Sequence, residues 1–263
     1  LAWVAVFIAI ALPVAGLLAV AVVPEPVDLS QRKLSLREGF RHLRANGPFL
    51  RLVSAFLLNS FANAIPASLF IYFVGQRLDA PAMQGPLLFT YFLCAIAGVP
   101  LAVATAKRLG KHRAWCYAMM LACAVFSVAG FLREGDVLAF TVVCVVTGLL
   151  LGFDLTLPPA IQADVIDNDT VSSGEQRSGL YFAAWSFTTK LAVALSAGVV
   201  FPLLDLAGFI GSQTASQSPE ALTALSALYA FLPILPKLAA IALMWNFSLD
   251  EAAHQKLRAS LGA

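Results

Sequence analysis

The segment Leu157–Lys190 reads LPPAIQADVIDNDTVSSGEQRSGLYFAAWSFTTK. It begins where a long apolar stretch meets Pro158 and Pro159, and it ends inside the next apolar stretch. Because proline lacks the amide hydrogen that a helix interior needs, the pair predicts the end of a helix at Leu157. Four carboxylates and Arg177 follow, in what we predict to be a polar loop. Two apolar stretches joined by a charged segment indicate two helices of a membrane protein.

The composition of the 263-residue chain indicates the same class of protein. It is 60% hydrophobic and 12% charged, whereas a soluble domain is about 25% charged. The net charge of +2, with basic residues that do not gather on one polar face, argues against nucleic-acid binding. The four cysteines form no C-x-x-C pair and have no histidine at metal-like spacing, so we expect no metal site.

Hydropathy predicts seven membrane-spanning helices, because each crossing of a core of roughly 30 Å needs about 20 apolar residues. The predicted spans are Leu1–Val23, Pro48–Val74, Pro86–Thr105, Ala114–Leu132, Val137–Leu157, Leu180–Leu204 and Ala221–Phe247. We therefore expect an all-α membrane protein, with a first helix over 1–23, a connector over 24–47, a six-helix bundle over 48–247 and a tail over 248–263. One helix, a connector and six helices are what remains of a twelve-helix transporter that is cut before its sixth helix. We accordingly expect the chain to be part of a longer protein.

Basic residues lie mostly on one side of the predicted membrane. Thirteen belong to one set of loops, namely Arg32, Lys33, Arg37, Arg41, Arg44, Arg51, Lys107, Arg108, Lys111, Arg113, Arg177, Lys256 and Arg258. Only Arg77 and Arg133 lie on the other side. Because basic loops stay in the cytoplasm, we predict a multi-pass protein of the cell (inner) membrane with a cytoplasmic C-terminus.

The connector over 24–47 is predicted to be an amphipathic helix at the cytoplasmic surface. Its basic residues have helical spacing and are interleaved with apolar ones, namely Arg37, Arg41 and Arg44 with Leu36, Phe40 and Leu43. Such a helix lies near anionic lipid, and a regulatory docking site is the alternative.

Two lysines fall inside predicted spans, where a charge costs several kcal/mol and is a functional candidate. Lys190 lies in the sixth span, with Ser186 one turn before it, and it either faces a polar cavity or forms a structural ion pair. Lys237 lies beside Pro233 and Pro236, and we expect its amine to bind the carbonyls that these prolines leave free, or to snorkel.

Other polar side chains in the spans are weaker candidates for a binding site. Asn59 and Asn63 form a stripe that could contact a solute or bond to a neighbouring helix. Trp185 could stack on a sugar ring, or pack against lipid or a neighbouring helix. Asp154, near the predicted cytoplasmic end of the fifth span, is a candidate proton or cation site, and pairing with a loop base is the alternative.

The segment quoted above closely resembles the signature of the glycoside–pentoside–hexuronide:cation symporter family, the melibiose-permease-like branch of the major facilitator superfamily. That signature is a proline-ended span, A-D-x-x-D, T-G-x-R-x-x-G and a span with a central lysine. The corresponding residues are Ala163-Asp164-Val165-Ile166-Asp167, Gly174-Glu175-Gln176-Arg177-Ser178-Gly179, in which the arginine stands one position later than in the pattern, and Lys190. The chain departs from the pattern at Asn168, where an aromatic is common, and at Ser173, where threonine is usual. Two further motifs match, Asn46-Gly47-Pro48-Phe49 and Arg108-Leu109-Gly110-Lys111.

The resemblance implies the C-terminal half of a major facilitator fold, in which two six-helix bundles move a sugar with Na⁺, Li⁺ or H⁺ by alternating access. It implies no cofactor beyond this coupling cation, which the N-terminal half would mainly bind. The implied partners are a small solute such as a sugar, membrane lipid and the N-terminal six-helix half. The candidate solute-site residues are Lys190, Ser186, Trp185, Asn59 and Asn63, of which Lys190 is carried over from the family. The candidate cytoplasmic-gate residues, implied to pair with the other half, are Asp164, Asp167, Arg177, Arg108 and Lys111.

Two other functions stay open at this point. A lipid-type transporter of the same superfamily, similar to those that move lysophospholipids, would need a lateral opening and an apolar cavity. A non-transporting membrane scaffold is the other. An intramembrane enzyme is disfavoured, because none of His42, His112 and His254 lies within a predicted span to serve as a base or ligand.

Overall fold

The computed structural model describes residues 2–22, 36–173, 177–211 and 216–247. These residues contain helices and turns and no strand. The first helix, α1, covers Ala2–Val22 and includes Pro13. Its side chains from Val6 onward are all apolar, and it forms a unit by itself.

The second unit begins with a short polar helix, α2, over Leu36–Ala45. This helix contains Arg37, Arg41 and Arg44, so it confirms the helix that their spacing predicted in the connector. Residues 24–35 of the connector lie outside the described part of the chain. Asn46 then caps the next helix, because its side-chain oxygen accepts a hydrogen bond of 2.9 Å from the backbone N–H of Phe49. Its amide nitrogen donates to the hydroxyl of Tyr181 at 2.9 Å, which ties the capped helix to a later one.

Six segments of the described chain are long and apolar enough to cross a membrane. They comprise α3 (Gly47–Tyr72, followed by a π-helical turn over Phe73–Arg77), α4 (Gln84–Leu109), α5 (Lys111–Ala129), α6 (Val137–Ser173), α7 (Ser178–Leu206) and the pair α8 (Pro219–Ala230) and α9 (Ile234–Met244). The all-α membrane fold predicted from the sequence, with one apolar helix before six, is therefore confirmed.

The prediction that Pro158 and Pro159 end a helix is wrong, because α6 runs through both prolines for 37 residues. Leu157, Ile161 and Val165 lie one helical turn apart and are all buried, so continuing the helix extends its core face. In membrane-spanning helices, neighbouring helices and hydroxyl side chains compensate for the hydrogen bonds that proline removes.

This longer helix changes the position of several candidate residues. Asp154 lies close to the middle of α6, not near the end of a span. Asp164 and Asp167 lie on the helix, not in a loop. The connection to α7 is consequently short, and Arg177 directly precedes that helix.

The helices of the second unit pack in an interleaved order. α6 lies along α4 and α5, whereas α3 lies along α7 and α9. Glycines set the close approach of α4 and α6, since a Cβ on Gly152 would lie only 2.5 Å from the carbonyl carbon of Gly98. The two groups of helices meet in the interior of the bundle, where the candidate site lies.

Candidate functional site

A cluster of polar side chains surrounds Asp154 in the interior of the bundle. One carboxylate oxygen, Oδ1, accepts hydrogen bonds from Trp115 Nε1 at 2.6 Å and from Asn59 Nδ2 at 3.0 Å. The other, Oδ2, accepts from Asn63 Nδ2 at 2.8 Å. Asn59 Oδ1 in turn accepts a hydrogen bond of 2.7 Å from Lys237 Nζ. Residues from α3, α5, α6 and α9 are thus joined in one network.

The network holds a buried pair of opposite charges. Lys237 Nζ lies 3.9 Å from Asp154 Oδ2, and the two side chains are 2% and 15% exposed. An ammonium at this depth needs an anionic or hydrogen-bonding partner, because transferring an unpaired charge out of water is costly. Lys237 finds both partners in side chains rather than in the carbonyls near Pro233 and Pro236 that we predicted.

A cavity of about 340 Å³ adjoins this network. Asn63, Thr147, Asp154 and Lys237 are charged or polar residues that line it, and most of the remaining lining is apolar or aromatic. Phe70 and Phe126 are two of the aromatic residues that line it. A mostly apolar cavity with a few polar groups is typical of small-molecule sites.

The structure brings together four of the residues singled out from the sequence, namely Asn59, Asn63, Asp154 and Lys237. Asn59 and Asn63, one helical turn apart, donate to the same carboxylate on Asp154, so they form the interhelical bonds that were one of the alternatives. The described partners of Asp154 are residues within the bundle, not a loop base. Trp115 and Lys237 complete the cluster, and Trp115 was not predicted. A buried indole N–H needs a hydrogen-bond acceptor, so the position of Trp115 in an apolar span could have indicated that it has a polar partner.

Lys190, Ser186 and Trp185 lie elsewhere, since no residue of α7 lines the cavity. Lys190 and Ser186 are exposed on that helix. Trp185 is half-buried and stacks on Phe56 of α3, with ring centroids 3.7 Å apart. One face of the indole is therefore covered by protein.

Ion pairs connect helix ends on the side of the bundle where α3 begins. Lys111 Nζ lies 2.7 and 2.6 Å from the two carboxylate oxygens of Asp164, which links α5 to the end of α6. Arg177 Nη1 lies 3.8 Å from Asp169 Oδ2, a partner that the sequence did not identify. Arg108 and Asp167 are exposed at this end. In the described part of the chain, no three histidine, cysteine, aspartate or glutamate side chains group as a metal site requires.

The comparison with known families agrees with this architecture. Residues 1–251 match the model of a protein family that is described as "MFS/sugar transport protein". The chain belongs to this family. The family and the fold confirm the predicted resemblance to the melibiose-permease-like branch of the major facilitator superfamily.

Relatives of this chain include a sphingosine-1-phosphate transporter, lysophosphatidylcholine symporters and a glucuronide carrier homolog. The sphingosine-1-phosphate transporter MFSD2B of Xenopus tropicalis is 29% identical over 65% of this chain and 34% of its own length. The human sodium-dependent lysophosphatidylcholine symporter 1 is 26% identical over 70% of this chain and 34% of its own. The glucuronide carrier protein homolog of Escherichia coli K12 is 22% identical over 85% of this chain and 49% of its own. The chain thus spans between a third and a half of the length of these curated relatives.

Proposed function

We propose that this chain forms the C-terminal half of a secondary transporter that moves a sugar or glycoside together with Na⁺ or H⁺ by alternating access. The proposal rests on one observation, the exposed ammonium of Lys190 in the middle of an apolar span. Lys190 lies twelve residues after Ser178, the first residue of α7, which is about 18 Å along the helix.

An exposed lysine at this depth argues against lipid as the neighbour of that helix face. Insertion of a central lysine into hydrocarbon costs several kcal/mol, and a side chain about 18 Å from the helix end cannot easily reach water by snorkelling. A polar route between this bundle and a second six-helix half would satisfy the ammonium. Lys190 would donate to sugar hydroxyls there, and Ser186 lies one turn away for a further contact.

The remaining parts of the proposal follow from the family and from charge. The glucuronide carrier homolog supports a sugar-like solute. The coupling cation would be bound mainly by the other half, and the charged groups near Lys111 and Asp164 would form the cytoplasmic gate. We place the protein in the cell membrane with its basic loops and C-terminal tail in the cytoplasm.

The test uses the complete protein that contains this chain, reconstituted in proteoliposomes. Uptake and binding of a labelled glycoside are measured across a Na⁺ titration and a pH titration. Lys190→Ala is expected to lower solute affinity and its dependence on the cation together. The matched control, Lys107→Ala, removes an exposed lysine at the end of α4 and is expected to change neither. Normal solute affinity with unchanged cation dependence in Lys190→Ala would refute the proposal.

A lysophospholipid is the second candidate solute, and the apolar lining of the cavity favours it. Phe70, Leu88 and Phe126 offer hydrocarbon surface that a sugar would not use. The variant Ala67→Phe places a ring at the cavity wall, where Ala67 is exposed. Competition between labelled lysophosphatidylcholine and the glycoside decides between the two solutes. Loss of lysolipid uptake alone in this variant would favour the lipid.

A further inference from the structure

The exposed face of α2 combines an aromatic ring with three arginines. Phe40 is 66% exposed, and Arg37, Arg41 and Arg44 are exposed as well. At about 100° per residue, these four side chains lie within an arc of about 100° on the helix. We call Arg37, Phe40, Arg41 and Arg44 the α2 face.

The opposite side of α2 is held against the bundle. Gly39 is buried, and a Cβ at this position would lie 3.0 Å from Leu180 Cδ1 at the start of α7. Leu43 also packs against the core. Because only Asn46 separates α2 from the span that begins at Gly47, α2 lies level with the membrane boundary.

We infer that the α2 face binds the headgroups of anionic phospholipids at this boundary. The three guanidinium groups carry the charge that phosphate headgroups require, and Phe40 supplies an apolar side chain for the acyl boundary. The single carboxylate of the helix, Glu38, is half-buried and lies outside the arc. The inference requires only that the bundle is in a membrane and does not depend on the proposed solute.

Other exposed basic residues at the same end provide a matched control. α3 and α4 run in opposite directions across the membrane, so the end of α4 and the start of α5 lie on the side where α3 begins. Lys107 and Arg113 are exposed there. Their side chains carry the same charge as two arginines of the α2 face, but they lie on two different helices, α4 and α5, and so do not share one helix face.

The experiment titrates the complete, detergent-solubilised protein with phosphatidylglycerol, and with phosphatidylcholine of the same acyl chains, while native mass spectrometry reports the bound lipid. Each arginine near a membrane surface contributes about fivefold to the affinity for anionic lipid. The double variant Arg41→Gln/Arg44→Gln is therefore expected to lose about thirtyfold in affinity for phosphatidylglycerol. Phosphatidylcholine binding is expected to stay unchanged.

Two further arms separate the α2 face from general attraction to a basic protein. The control Lys107→Gln/Arg113→Gln is expected to lose much less affinity for phosphatidylglycerol than Arg41→Gln/Arg44→Gln does. Arg41→Lys/Arg44→Lys is expected to keep this affinity because it keeps the charge. The preference for phosphatidylglycerol should shrink from about 0.01 M to about 1 M ammonium acetate, as the Debye length falls from about 30 Å to about 3 Å. Equal losses in the α2 and control variants, or an unchanged affinity in Arg41→Gln/Arg44→Gln, would overturn the inference.

Discussion

Replacing Lys237 by methionine is expected to destabilise the six-helix bundle, because it removes one member of a buried ion pair. The ammonium is 2% exposed and lies 3.9 Å from Asp154 Oδ2. Breaking such a pair costs about 3–5 kcal/mol in general. Asp154 keeps three hydrogen-bond donors in the variant, from Trp115, Asn59 and Asn63, so we expect a value near the lower limit, about 3 kcal/mol.

The assay is thermal unfolding of the complete protein in detergent, followed by tryptophan fluorescence. In a domain of this size, 1 kcal/mol shifts Tm by about 2–4 °C, so Lys237→Met should lower Tm by about 6–12 °C. Asp154→Asn/Lys237→Met removes both charges while keeping the shape of the carboxylate side chain. It is expected to be more stable than Lys237→Met alone, because no unpaired charge remains.

Two outcomes would refute this reasoning. One is a Tm of Lys237→Met within the range of an exposed control such as Lys107→Met, which is expected to change stability by no more than about 0.5 kcal/mol. The other is a double variant whose loss of unfolding free energy equals the sum of the losses measured for Asp154→Asn and Lys237→Met separately. Either result would show that the pair does not stabilise the bundle through its charges.

Three further predictions concern helix packing, the predicted gate and the indole of the cluster. Gly152→Val should disrupt the contact of α6 with Gly98 and lower Tm, because even a Cβ there lies 2.5 Å from backbone. Asp164→Asn in the complete protein should change the ratio of inward-open to outward-open molecules more than it changes solute affinity, because it removes the ion pair with Lys111 at a helix end. Distances from double electron–electron resonance would report the conformations, and a binding assay would report the affinity. Trp115→Phe should cost about 1.5–3 kcal/mol in unfolding free energy, since it removes a hydrogen bond to a charged group.

Each of these predictions has its own control or contrary result. Gly198→Ala, where an added Cβ meets nothing within 4 Å, should be neutral or slightly stabilising. Lower solute affinity in Asp164→Asn with normal conformational exchange would contradict the gate assignment. For Trp115→Phe, an unchanged Tm would show that the indole N–H contributes nothing to the stability of the cluster.

The membrane-spanning helices could be predicted because their signal is local. About 20 consecutive apolar residues can satisfy their backbone in hydrocarbon only as a helix, so length and composition suffice. The end of α6 could not be predicted in this way. The local cost of Pro158 and Pro159 favours a break, whereas the burial of Ile161 and Val165 on the same helix face favours continuation. That burial exists only after the other helices have packed.

The candidate site was likewise predictable only where its signal is local. The spacing of Asn59 and Asn63 by one helical turn was visible in the sequence and placed both amides on one face of α3. Their acceptor on Asp154 is 95 and 91 residues away along the chain, and Lys237 is 178 residues from Asn59. The sequence by itself therefore determined which segments are apolar membrane-spanning helices and that Lys190 and Lys237 lie inside them. Only the tertiary structure decided that Lys237 pairs inside the bundle while Lys190 stays exposed, because a hydrogen bond depends on distances of about 3 Å that helix packing sets.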